Sequence, residues 1–64
     1  MNKIDIFRRN KCLSYAALSR ETGLTQAYIQ QLAKGKRRNP SLNVMQKIAF
    51  ALGEKVGDVF SFEL

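Results

Sequence analysis

Gln26, Gln30 and Gln31 fall within six positions of one another, Ala27 lies among them, and Lys34, Lys36, Arg37 and Arg38 follow at once. A glutamine amide donates and accepts at the same time. Those two bonds side by side match the N6 and N7 edge of adenine, and a small alanine packs on a thymine methyl. None of these residues brings negative charge toward a phosphate. A Gln-rich helix face is ordinarily only soluble surface, and a charge run is ordinarily only solvated. Their direct succession favours a surface that meets a polyanion.

Other chemistry is poorly supported. The chain has no histidine, so the commonest general base and metal ligand is missing. Ser14, Ser19 and Ser41 have no base partner for nucleophilic catalysis. Asp5, Glu21, Glu54, Asp58 and Glu63 are scattered, without metal-ligand spacing. No enzymatic activity, metal or cofactor is expected. Cys12 is the single cysteine. It can form no internal disulfide, which fits a reducing cytoplasm, and it reads as an incidental thiol rather than a redox switch. Apolar runs stay far below the ~20 residues that span a bilayer. Met1 to Phe7 lacks a signal-peptide apolar region. No membrane partner is expected.

Length and charge set the frame. Sixty-four residues make one domain, 1–64, burying only ~60% of the surface its unfolded chain exposes. That excludes a two-lobed cleft or a βαβ nucleotide fold. The composition, 45% hydrophobic and 25% charged, is that of a globular protein. Eleven basic against five acidic residues give +6, which calls for nucleic acid or an anionic membrane. The charge is uneven. Residues 1–53 carry ten basic and two acidic groups, whereas residues 54–64 carry Lys55 against Glu54, Asp58 and Glu63. One end suits a polyanion and the other a protein contact.

The elements that must position these groups read as helices, so the fold class is all-α. Ile4 and Phe7 predict a first helix over about 3–11. Ser14 can cap a second, Tyr15 to about Thr22, anchored by Leu18 and closed by Gly23. Thr25 can cap a third, ending at Gly35, with Ile29, Leu32 and Ala33 inward. Residues 36–41 form a loop around Pro40. Ser41 caps a fourth helix, Leu42 to Leu52, with Met45, Ile48, Ala49 and Leu52 on its inner face and Gly53 at its end. A fifth spans about Val56 to Phe60, weakened by Gly57, before a short extended tail, 61–64. Residues 15–34 form a helix-turn-helix unit. Gly23 makes the turn, small Ser19 allows a close crossing, and Leu18, Leu24, Ile29 and Leu32 point inward. Thr25, Gln26, Ala27, Gln30, Gln31 and Lys34 are then left outside.

The stretches Leu13–Ser19, Gly23–Ile29, Gly35–Ser41 and Ile48–Gly53 occur in an order and spacing that resemble the lambda-repressor-like, Cro/CI-type helix-turn-helix family. The resemblance covers about residues 3–60. It implies a compact five-helix DNA-binding domain, usually dimeric on a palindromic operator. By position it places Gln26, Ala27 and Gln31 on base edges, with Gln30 reading or flanking. It places Lys36, Arg37, Arg38 and Asn39 along the phosphate backbone. Thr25, Lys34 and Ser41 join that set, as does Tyr28, which touches backbone or covers the core. Three positions depart from the family pattern. Tyr15 replaces a frequent glutamine, although its hydroxyl can still donate to phosphate. Ala33 replaces a glutamate, so Arg8 loses its expected partner and is expected to be solvated. Lys55 cannot cap the fifth helix, which is expected to fray alone.

The functional expectation is a sequence-specific, double-stranded DNA-binding transcriptional regulator, a repressor acting as a homodimer. Val56, Val59, Phe60, Phe62 and Leu64 form the expected dimer interface, an apolar surplus within nine residues. The alternative is an antitoxin-type protein that also binds a partner protein. A membrane-active cationic peptide fits less well, because the apolar residues are used internally. With no room for a ligand-sensing domain in 64 residues, control is expected from concentration, proteolysis or a regulatory protein partner.

Overall fold

Side-chain oxygens start three of the helices in the computed structural model, which describes residues 2–60. Ser14 accepts from the Ala17 amide at the head of α2 (Tyr15–Thr22), Thr25 from Tyr28 at the head of α3 (Gln26–Ala33), and Ser41 from Val44 at the head of α4 (Leu42–Leu52). Each satisfies an amide that the helix itself cannot. Before them runs α1 (Ile4–Asn10), and after them α5 (Val56–Val59). The fold is all-α.

Glycine closes the middle helices. Gly23 has φ 76° and Gly53 φ 70°, a left-handed geometry that other residues adopt at a cost. The third helix stops two residues earlier than its apolar pattern implies, at Ala33, with Lys34 as its cap. The α5 cap, Lys55, makes no side-chain bond, as its chemistry requires. Phe60, expected inside α5, instead pairs as an isolated antiparallel bridge with Asn2. The Lys3 amide donates to the Val59 carbonyl at 2.7 Å, so the two ends of the described chain are tied together.

The core joins all five helices: Ile4, Leu18, Ile29, Leu32, Ile48, Ala49, Leu52, Val59 and Phe60 are buried. Phe7, Leu24, Ala33 and Met45 pack against it half-buried. This placement bears on the expected dimer face. Val59 and Phe60 lie inside the chain's own core rather than on its surface, and Val56 is half-buried. They close the core because α5 packs on α4. Phe62 and Leu64 lie outside the described residues. Asn2 also fixes the fold in a way its sequence position does not advertise. Its amide donates to the Leu32 carbonyl at 2.7 Å, and its oxygen accepts from the Ile4 amide, joining the end of α3 to the start of α1.

Candidate nucleic-acid interface

The turn between α2 and α3 is held by side chains as well as by Gly23. The Ser19 hydroxyl donates to the Leu24 carbonyl at 2.5 Å. Buried Thr22 donates to the Leu18 carbonyl at 2.7 Å and accepts from the Leu24 amide at 3.2 Å. Leu18, Ile29 and Leu32 then lock the two helices to the core. The outward side of α3 is set by subtraction. Gln26, Ala27 and Gln30 are exposed, and Gln31 and Tyr28 are half-buried.

The exit from α3 is equally defined. The Gly35 amide donates to the Leu32 carbonyl at 3.2 Å and the Lys36 amide to the Gln31 carbonyl at 2.8 Å. Those two bonds make a Schellman closure, and they require the left-handed φ of 77° at Gly35. Lys36, Arg37, Arg38 and Asn39 then leave the helix exposed. Lys36, Arg37 and Arg38 form no ion pair with any acidic group among the described residues. A shallow open groove is lined by Thr25, Ala27, Tyr28, Gln31 and Arg37, so the start of the helix and the basic loop share one face. Thr25 and Ser41 each use an oxygen lone pair for capping, which leaves the hydroxyl hydrogen available to an acceptor.

Tyr15 and Arg8 are placed otherwise. The Tyr15 hydroxyl donates to Asp5 Oδ1 at 2.5 Å, so the group offered to phosphate is engaged within the protein. Arg8 is not solvated, contrary to the sequence expectation. Its Nε donates to Asp5 Oδ1 at 3.0 Å, its terminal nitrogen donates to the Leu13 carbonyl, and its guanidinium lies 4.2 Å from the Tyr15 ring centre. Asp5, one turn earlier on α1, supplies the partner that Ala33 cannot. An Asp–Arg pair at i, i+3 was the available signal. Lys34 reaches the same carboxylate, 3.5 Å from Oδ2, which ties the end of α3 to α1. Burial acts to raise the Asp5 pKa, but the Tyr15 and Arg8 hydrogen bonds with the Arg8 and Lys34 charges outweigh it, and the carboxyl sits below its ordinary range.

These features define a helix-turn-helix domain with a basic loop beside its second helix that pairs with no acidic group among the described residues. The sequence matches the Cro/C1-type HTH DNA-binding domain over residues 3–64, and the chain belongs to that family. It is 27% identical over 60 residues to the HTH-type transcriptional regulator SlrR of Bacillus subtilis (strain 168). The match covers 94% of this chain and 40% of that protein, so the chain spans less than half the length of this relative. No helix among the described residues is long and apolar enough to cross a membrane.

Arg38 provides a test of the loop. Each phosphate contact releases counterions, so affinity falls with salt in proportion to the contacts made. Arg38→Gln is expected to flatten the plot of log affinity against log salt by about one unit per copy bound, with no change in base preference. An unchanged slope would place Arg38 in solvent when DNA is bound.

Proposed function

We propose that this chain is a sequence-specific regulator of transcription, a repressor that binds a palindromic operator in double-stranded DNA as a homodimer. The observation that carries the reading is the outward face of α3, with Gln26, Ala27 and Gln30 exposed and Gln31 beside the basic loop. In this reading α3 enters the major groove, Gln26 and Gln31 read base edges, and Lys36, Arg37, Arg38 and Asn39 fix the register on phosphates. The dimer draws support from apolar surface left on the two C-terminal helices. Phe50 on α4 is 87% exposed, Val56 on α5 is only half-buried, and these helices pack against each other. A two-fold axis there would set two α3 helices one DNA turn apart, ~34 Å.

Selection of bound DNA from a random pool tests these points together. The expected product is a palindrome with half-sites one turn apart. Gln26→Ala and Gln31→Ala should each relax preference at one base pair per half-site, by ~1–3 kcal/mol, and leave random-sequence affinity nearly unchanged. Single, unpaired half-sites in the selected pool would remove the dimer. Equal weakening on all sequences would remove that glutamine as a reader.

A further inference from the structure

Residue 37 is bonded to residue 31 twice. The Arg37 amide donates to the Gln31 carbonyl at 3.1 Å, and the Arg37 Nε donates to Gln31 Oε1 at 2.8 Å. The guanidinium also lies 5.2 Å from the centre of the Tyr28 ring, within the reach of a cation–π contact. The geometry assigns Arg37 a role beyond phosphate attraction: it orients the Gln31 amide and thereby sets which base Gln31 accepts. This rests on the DNA-binding reading above and deepens it.

The argument follows from donor chemistry. A guanidinium has five N–H donors and no acceptor. Only the oxygen of an amide can face it, so Arg37 settles which way the Gln31 amide is turned. The Gln31 NH2 is then directed away from Arg37, with two donors free, and Oε1 keeps one lone pair. That is the arrangement a bidentate adenine contact needs, donor to N7 and acceptor from N6. Without Arg37 the amide can rotate by half a turn and present its groups in the opposite order. The side chain would also regain rotamers that the bond to Arg37 removes. Arg37 uses one N–H on Gln31. Its remaining donors stay on the exposed side for a phosphate, so one side chain joins base reading to backbone register.

Lysine at position 37 separates charge from geometry. It keeps the positive charge, but where arginine has Nε it has a methylene, so the Nε–H bond to Oε1 is lost and any contact must come from Nζ, one bond further along a flexible stem without the planar fork that fixes the amide. In selections from a random pool, Arg37→Lys should keep the wild-type salt dependence. It should relax preference at the same base pair that Gln31→Ala relaxes, by roughly five-fold or more. Adding Gln31→Ala to Arg37→Lys should relax that position little further, because the two residues act as a unit. In the DNA-free chain, the Arg37 Nε–H should exchange with water more slowly than that of Arg38, and Gln31→Ala should remove the difference. An Arg37→Lys chain that selects the wild-type site with unchanged preference overturns the assignment and leaves the DNA-binding reading standing. Equal exchange of the two arginines overturns it whatever the DNA result. A wild-type chain that enriches no sequence removes the DNA-binding reading and this assignment with it.

Discussion

Leu18→Ala is expected to unfold a large fraction of the protein and to abolish DNA binding from a position that touches no DNA. Leu18 is fully buried at the centre of α2, the helix that packs on both α3 and α4. Truncating a buried leucine costs ~2–5 kcal/mol, the lost transfer energy plus the cavity left behind. A domain of this length is stable by only ~3–10 kcal/mol on the usual per-residue scale, and small cores lie at the lower end. The loss is comparable with the whole stability, so at the low end of that range the variant sits near its unfolding midpoint. Urea titration followed by far-UV circular dichroism should show the midpoint falling by about 2 M or more, given a slope near 1 kcal/mol/M for a chain this small. Phe50→Ala is the control. Phe50 is large but 87% exposed on α4, and at a concentration low enough to keep the chain monomeric its removal should leave the midpoint nearly unchanged. A Leu18→Ala midpoint within ~0.5 M of wild type would mean that the core relaxes around the lost side chain, against the close packing of interiors.

The contrast between Leu18 and Phe50 also separates what the sequence makes legible from what it hides. The α2 and α4 boundaries follow from local rules: an N-cap oxygen, an apolar spacing of three and four, and a glycine able to take positive φ. Ser14 and Gly23 bound α2, and Ser41 and Gly53 bound α4. The outward position of Gln26, Ala27 and Gln30 follows from the inward position of Ile29 and Leu32 on the same helix. Contacts between distant residues are hidden. Nothing local in Asn2 indicates that it caps the Leu32 carbonyl thirty positions away. Tyr15 meets Asp5 across ten positions, so the cluster that captures Arg8 depends on how α1 docks against α2. Phe60 has an apolar pattern that suits a helix end or a strand equally, and only its pairing with Asn2 decides. In the interface, the exposed arginines read as phosphate contacts from charge alone. The bond from Arg37 to Gln31 depends on the Schellman closure that turns the loop back along α3.

Asp5 should make the fold sensitive to acid, and Asp5→Asn should remove most of that sensitivity. The carboxylate receives the Tyr15 hydroxyl, the Arg8 Nε and the Lys34 amine, and its side chain is 17% exposed. Burial alone would raise its pKa, but the hydrogen bonds and positive charges prevail and its folded value lies below the ordinary 3.8. A carboxyl depressed on folding contributes stability above its unfolded pKa and loses it as pH falls through the folded value. The wild type should therefore hold a constant advantage at neutral pH and lose it below about pH 4. Asparagine keeps an acceptor for Tyr15 and Arg8 but has no charge. Asp5→Asn should cost ~1.5–3 kcal/mol at pH 7, the range for a hydrogen bond to a charged partner, and the gap to wild type should close as the wild-type carboxyl protonates. Tyr15 supplies an alkaline counterpart. Burial first, then the hydrogen bond and charge of Asp5, push its phenol above the ordinary 10.0. That contribution is present below the unfolded pKa and lost as pH rises through the folded one, a loss that Tyr15→Phe should not show. Urea midpoints of wild type, Asp5→Asn and Tyr15→Phe measured from acid to alkaline pH would read both limbs. A wild-type to Asp5→Asn gap of the same size at pH 7 and pH 3 would show that Asp5 is not held as a carboxylate by its three donors. Arg8 would then have to be anchored by the Leu13 carbonyl and the Tyr15 ring alone.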